Sequence, residues 1–183
     1  MKKILLLFFA LSLFTCSGGD DDNDNDNNSP SQSDILSVAG TDYELVTGNL
    51  SNYGPNSVSN TVNIDLDIFS SGLITACEED GSGQGQDIYF EMWTSEEGFL
   101  DSGTYNIVTD FDYSLFDITY ADYILDLNLD DDSEQDWVSL VSGTVNVERS
   151  GNNYTISWDT IDENGNVVAG SYSGTLSYCD FSD

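Results

Sequence analysis

Carboxylates are the only side chains that this sequence supplies in number for chemistry at neutral pH: it has 34 Asp and Glu, no His, and three bases, Lys2, Lys3 and Arg149. Without histidine there is no Ser-His-Asp or Cys-His nucleophile, no His-ligated zinc and no ordinary general base near pH 7. A lone Arg149 downstream of the leader leaves no phosphoryl clamp and no lysine nucleophile. What survives is carboxylate chemistry, in which one acid holds a proton and a second stays ionised across a glycosidic bond. Glu91, next but one to Trp93 on an alternating run, is the residue such a hydrolase would use. It alternates outward from Phe90 and Met92, however, and a solvated strand face is the plainer reading, so the chain is expected not to be an enzyme.

The acids also raise the question of a cation. "DDDNDNDNN" from Asp20 and "LDDDSEQD" from Leu129 are dense in oxygen ligands, yet from Asp20 the sixth and twelfth loop positions hold Asn25 and Ser31, not the Gly and Glu of an EF-hand. Asp130, Asp131, Asp132, Glu134 and Asp136 are the candidate ligands for weak Ca2+, with an acidic loop in water as the alternative, and no other cofactor is expected. The segment "EEDGSGQGQD", Glu78 to Asp87, lacks Lys and is lined by acids, so it opposes phosphate and reads as a hairpin connection. Nucleic acid and anionic lipid headgroups are excluded as partners by the same field. Among the aromatics, Trp158 shares a face with Tyr154 and Ile156 and reads as core, whereas Trp93 and Trp137 are the candidates for stacking on a ligand.

The cysteines differ in setting. Cys16 follows Lys2, Lys3 and an apolar run from Ile4 to Phe14, the length of a signal peptide and too short to span a bilayer. "LFTC", Leu13 to Cys16, resembles the bacterial lipobox, in which the cysteine is lipidated and becomes the new N-terminus. Residues 1–15 are then a removed signal and Cys16 is the lipidation site. Loss of residues 1–15 leaves one base, Arg149, against 34 carboxylates, a net charge near −33. The stretch after Cys16, with Asp20, Asp21, Asp22, Asp24 and Asp26 among asparagines, cannot bury a core and is expected to be a disordered, solvated tether over residues 16–32. A cysteine followed closely by an acidic cluster resembles the export signal of Bacteroidota surface lipoproteins, which implies a membrane partner through the lipid and display on the outer face of the outer membrane. Cys77 and Cys179, at the ends of predicted strands, pair in an oxidising compartment or remain two separate buried thiols. Pairing would close a loop of about 100 residues, worth about 4 to 5 kcal/mol by chain entropy.

The elements that must position these residues are strands. Residues 33–183 read as one domain with enough apolar and aromatic content for a core. Val62, Ile64, Leu66 and Ile68 alternate with Asn63, Asp65 and Asp67; Ile88, Phe90 and Met92 repeat the pattern, as do Tyr154, Ile156 and Trp158. "ERSGNNY" and "DENGNVV" supply the Gly and Asn of tight hairpins, which makes the last three long strands antiparallel neighbours. "SGTYNI", "SGTVNV" and "SGTLSY" place Gly103, Gly143 and Gly174 at the entry to apolar alternation, and the phase slip between Leu140 and Val145 calls for a bulge near Ser142. Some eight to ten runs joined by short turns give an all-β antiparallel meander closing as an up-and-down, calycin-like barrel, with a two-sheet sandwich as the alternative.

The segments Ser51 to Leu73, Leu100 to Ile107 and Ser142 to Tyr178 resemble small lipoproteins of Bacteroidota with calycin-like or lipocalin-like β domains. The resemblance implies a fold and a location but no reaction and no site residues. Together with the residue-level reading it makes the chain a lipid-anchored outer-membrane protein acting as a non-catalytic binding or envelope-structural module. Its partners would be the membrane and an envelope protein, or a glycan or small apolar ligand held at a barrel mouth.

Overall fold

A computed structural model describes residues 34–77, 79–131, 133 and 135–182. Cys16, the leader and the acidic segment to residue 32 lie outside the described residues, as do Asp132 and Glu134. The described residues form strands and no helix: β1 Ile35–Val38, β2 Thr41–Glu44, β3 Thr47–Pro55, β4 Val62–Phe69, β5 Leu73–Ala76, β6 Glu79–Thr94, β7 Gly103–Ile107, β8 Asp117–Asn128, β9 Val138–Ser150, β10 Asn153–Asp162, β11 Val167–Thr175 and β12 Ser177–Asp180.

Eleven strands lie on one path, β12-β3-β4-β6-β8-β7-β9-β10-β11-β1-β2, with β5 paired to β6 off it. The single sheet curls into a half-barrel. Only Leu45 and Val46 separate β2 from β3, and they lie at a seam. Leu45 N–H donates to Asp34 O beside β1, while Val46 N–H donates to Phe69 O at the end of β4, so the chain leaving one end of the path enters near the other.

Period-two alternation places the core. Ile64, Leu66 and Ile68 of β4 pair with Met92, Phe90 and Ile88 of β6, and all six are fully buried on the inner face. They meet Val145, Ile156 and Trp158 from β9 and β10 across the curl. Side chains of this size contribute about 1.5 to 3 kcal/mol each when fully buried, so this packed interior is the main stabilising mass. The hairpin expectation holds, since β9, β10 and β11 are antiparallel neighbours. The expected bulge is present as well: Ile161 pairs with Ser142 and Asp162 with Leu140, which leaves Val141 unpaired, and Gly143 follows at φ 129°.

Three features depart from the expected meander. Two pairings are parallel, β7 with β8 and β12 with β3, because residues 108–116 loop round between β7 and β8 and the chain after β11 reaches the far edge of the path. The strands among the described residues number twelve, against the eight to ten runs expected. The glycine-rich segment is not a connection but the first half of the 16-residue β6. Glycine is needed there because the strand passes close to its neighbours; a Cβ on Gly83, at φ 97°, would collide with the backbone oxygen of Gly72.

Candidate functional site

The inner face of the half-barrel carries the packed core, and a cavity lies on the opposite, outer face of the same strands. Alternation puts Asp65, Asp67 and Phe69 of β4 outside, and the register sets them against Glu91, Tyr89 and Asp87 of β6. Tyr89 in turn pairs with Asp122 of β8. Over this floor folds the β5–β6 hairpin, with Thr75 and Gly81, and beside it the segment carrying Leu127, Leu129 and Trp137; together they enclose about 550 Å³. A second, small apolar cluster of Phe69, Leu73, Ile124 and Leu127 supports this end of the cavity.

The wall is pinned at several points. Asn49 Nδ2 on β3 donates to Thr75 Oγ1 at 3.1 Å. Cys77, just past β5, is disulfide-bonded to Cys179 on β12, with Cα atoms 5.1 Å apart. Leu129 N–H donates to Gly83 O at 2.9 Å, and Gly83 N–H donates to Asp130 Oδ1 at 3.2 Å, tying the acidic segment to the hairpin.

The floor is electrostatically unusual. Burial raises the Asp65 carboxyl to about 6, with Glu91 adding repulsion, although it accepts hydrogen bonds from the Tyr89 hydroxyl at 2.8 Å and Asn63 Nδ2 at 3.3 Å. Burial and the charge of Asp65 push Asp67 to about 7. Burial, then the charge of Asp67, raise Asp87 well above the carboxylate range, and backbone amides of Ile88 and Ile68 offset only part of this. Asp87 is 3% exposed, and its Oδ1 has no hydrogen-bond partner among the described residues. Asp162 is the useful contrast. It is equally buried, but Tyr123 Oη, Asn166 and Asn164 all donate to it, and these bonds outweigh burial and hold its carboxyl low. Asp162 is satisfied at both oxygens, whereas Asp87 keeps one oxygen without a partner beside a cavity.

The sequence candidates fall in different places. Trp137 is 41% exposed and lines the cavity. Trp93 is 6% exposed; its ring lies 4.6 Å from Tyr113 and its Nε1 donates to Thr119 Oγ1 at 2.8 Å, so it is packed away from the cavity. Glu91 accepts from the same Thr119 hydroxyl at 2.5 Å and does not line the cavity. Asp130 bonds Gly83, Asp131 accepts from Ser133 N–H at 3.0 Å, and Asp131 and Asp136 border a separate cavity of about 480 Å³. Among the described residues no group of three His, Cys, Asp or Glu is placed to hold a metal ion.

Sequence reasoning placed the ligand site at a barrel mouth and treated Asp65, Asp67 and Asp87 as parts of solvated faces or loops. The overlooked signal is that "DLD" and "DIYFE" put acids on the outer face of both strands, with no base anywhere near to pair them. No family model matches the chain, and no curated protein or solved structure matches it either.

Proposed function

We propose that this protein is a lipid-anchored envelope protein, attached through Cys16 and displayed at the outer-membrane surface, whose β domain binds a small ligand and carries out no catalysis. The observation that carries the binding reading is the outer cavity. It has the volume of an ordinary ligand pocket, mostly apolar walls, an exposed tryptophan at its rim and a few convergent polar groups, among them a carboxylate oxygen with no partner. A glycan unit or a small, largely apolar molecule fits such a lining, since a sugar presents C–H faces to an aromatic ring and hydroxyls to carboxylates. The absence of histidine and the shortage of bases support binding over turnover.

The test is the melting temperature of the full chain across a panel of glycans and lipids. A ligand at 100 times its Kd should add about 2.7 kcal/mol, and Trp137→Ala should abolish the shift. A flat panel would sink the binding reading and leave an envelope-structural role. Anchoring is tested separately: Cys16→Ala should release the protein from the membrane fraction, and continued retention would overturn it.

One observation favours a carboxylate-dependent hydrolase as a second reading, namely that Asp67 and Asp87 line one cavity with both carboxyls held above their ordinary range. Turnover of a glycoside abolished by Asp87→Asn would establish it.

A further inference from the structure

We propose that the outer cavity binds the ammonium group of a small organic cation, an amino sugar or an alkylamine, between Asp67, Asp87 and the Trp137 ring. This rests on the reading that the cavity holds a ligand and narrows that ligand to one charge.

Three observations converge. Asp87 Oδ1 is buried without a donor, and a desolvated carboxylate oxygen is costly until a donor reaches it. Among the described residues no donor reaches it. The Tyr89 hydroxyl is committed to Asp65, and Arg149, the one base in the described residues, stands 3.9 Å over the Phe99 ring. A ligand entering the cavity can supply the hydrogen in place of the carboxyl's own proton.

It should also bring charge. Asp67 and Asp87 raise each other's energy when both are ionised, and Asp122 lines the same space. A sugar hydroxyl can satisfy Oδ1 but leaves that repulsion in place. An ammonium group supplies up to three donors and cancels part of the repulsion, and phosphate or carboxylate ligands are repelled.

The remaining lining suits the rest of such a molecule. Trp137 and Tyr89 present aromatic faces, which attract cations as well as C–H groups, while Phe69, Leu127 and Leu129 cover methylenes or a ring face. The formal net charge of −31 concentrates cations at the surface.

The probes are two matched pairs, glucosamine with glucose and hexylamine with hexanol, titrated calorimetrically into the purified full chain at pH 7. The expected result is that at least one amine binds ten times or more tighter than its neutral twin. Asp87→Asn should then weaken that amine at least tenfold while changing its neutral twin less than twofold. Trp137→Ala, at a 41% exposed position, should weaken both members of the pair. A neutral twin that binds as tightly as its amine would overturn the ammonium assignment and leave the cavity reading standing. No binding by either pair would overturn both. Amine binding unchanged in both variants would show general attraction to an acidic surface and overturn the site.

Discussion

Asp67 on β4 and Asp87 on β6 face one cavity from diagonal positions across a strand pair, Asp67 opposite Tyr89 and Asp87 opposite Phe69, and each carboxyl is held above its ordinary range. That relationship makes stability depend on pH in an unusual sense. Burial is the leading cause for Asp65, Asp67 and Asp87, and Asp34 and Asp117 shift the same way. Between about pH 4 and pH 7 the folded chain therefore binds more protons than the unfolded chain, and stability falls as pH rises through that window. Asp101 and Asp162 are shifted down, because hydrogen bonds outweigh burial, and their contribution is lost only below about pH 4. The melting temperature should peak near pH 4 to 5 and decline towards pH 8. A curve that rises steadily to pH 7 would refute the raised carboxyls.

Asp87→Asn removes the ionisable group without changing its shape. The amide cannot be forced to ionise and no longer repels Asp67, so the variant should lose less stability than the wild type as pH rises, and should be the more stable of the two at pH 8. The difference should shrink towards pH 4. Denaturant unfolding at the two pH values measures the difference directly.

The Cys77–Cys179 bond spans 102 residues and joins the hairpin that walls the cavity to the edge strand β12. Replacing both cysteines by alanine frees the unfolded chain and should cost about 2 to 5 kcal/mol. The loss should be matched by reducing the native protein, and ligand binding should weaken with it because the wall loses its covalent tie. Unchanged unfolding with and without reductant would show that the bond adds nothing.

Much of this fold was legible because its signals are local. Alternation in "VNIDLDIF" names the inner face of β4 without knowledge of any partner, and the phase slip near Ser142 marks a bulge within four residues. The cavity was not legible, because it is made where segments far apart in sequence meet on the side that alternation marks as solvent. Asp67 looks solvated until β5 and the first half of β6 fold beside it. That first half was hidden by its glycines, which read as a connection although they serve close strand passage. Trp137 and Trp93 look alike in sequence; only the 108–116 loop, which lays Tyr113 over Trp93, separates a packed ring from an exposed one.

The bulge in β9 gives the sharpest test of the backbone. Gly143 sits at φ 129°, and a Cβ there would stand 2.5 Å from Thr160 Cα and nearer still to Asp159 O, both on the paired strand β10. Gly165, in the β10–β11 turn, also has a positive φ, 82°, but a Cβ would meet nothing within 4 Å. Alanine at Gly165 therefore carries only the left-handed backbone penalty of about 1 to 2 kcal/mol. At Gly143 alanine adds a collision with main chain that can be relieved only by breaking the β9–β10 ladder, so the loss should exceed that at Gly165 by about 2 kcal/mol or more. Chemical denaturation of the two variants side by side decides it, since equal losses would mean that the ladder yields easily and that Gly143 serves backbone conformation alone.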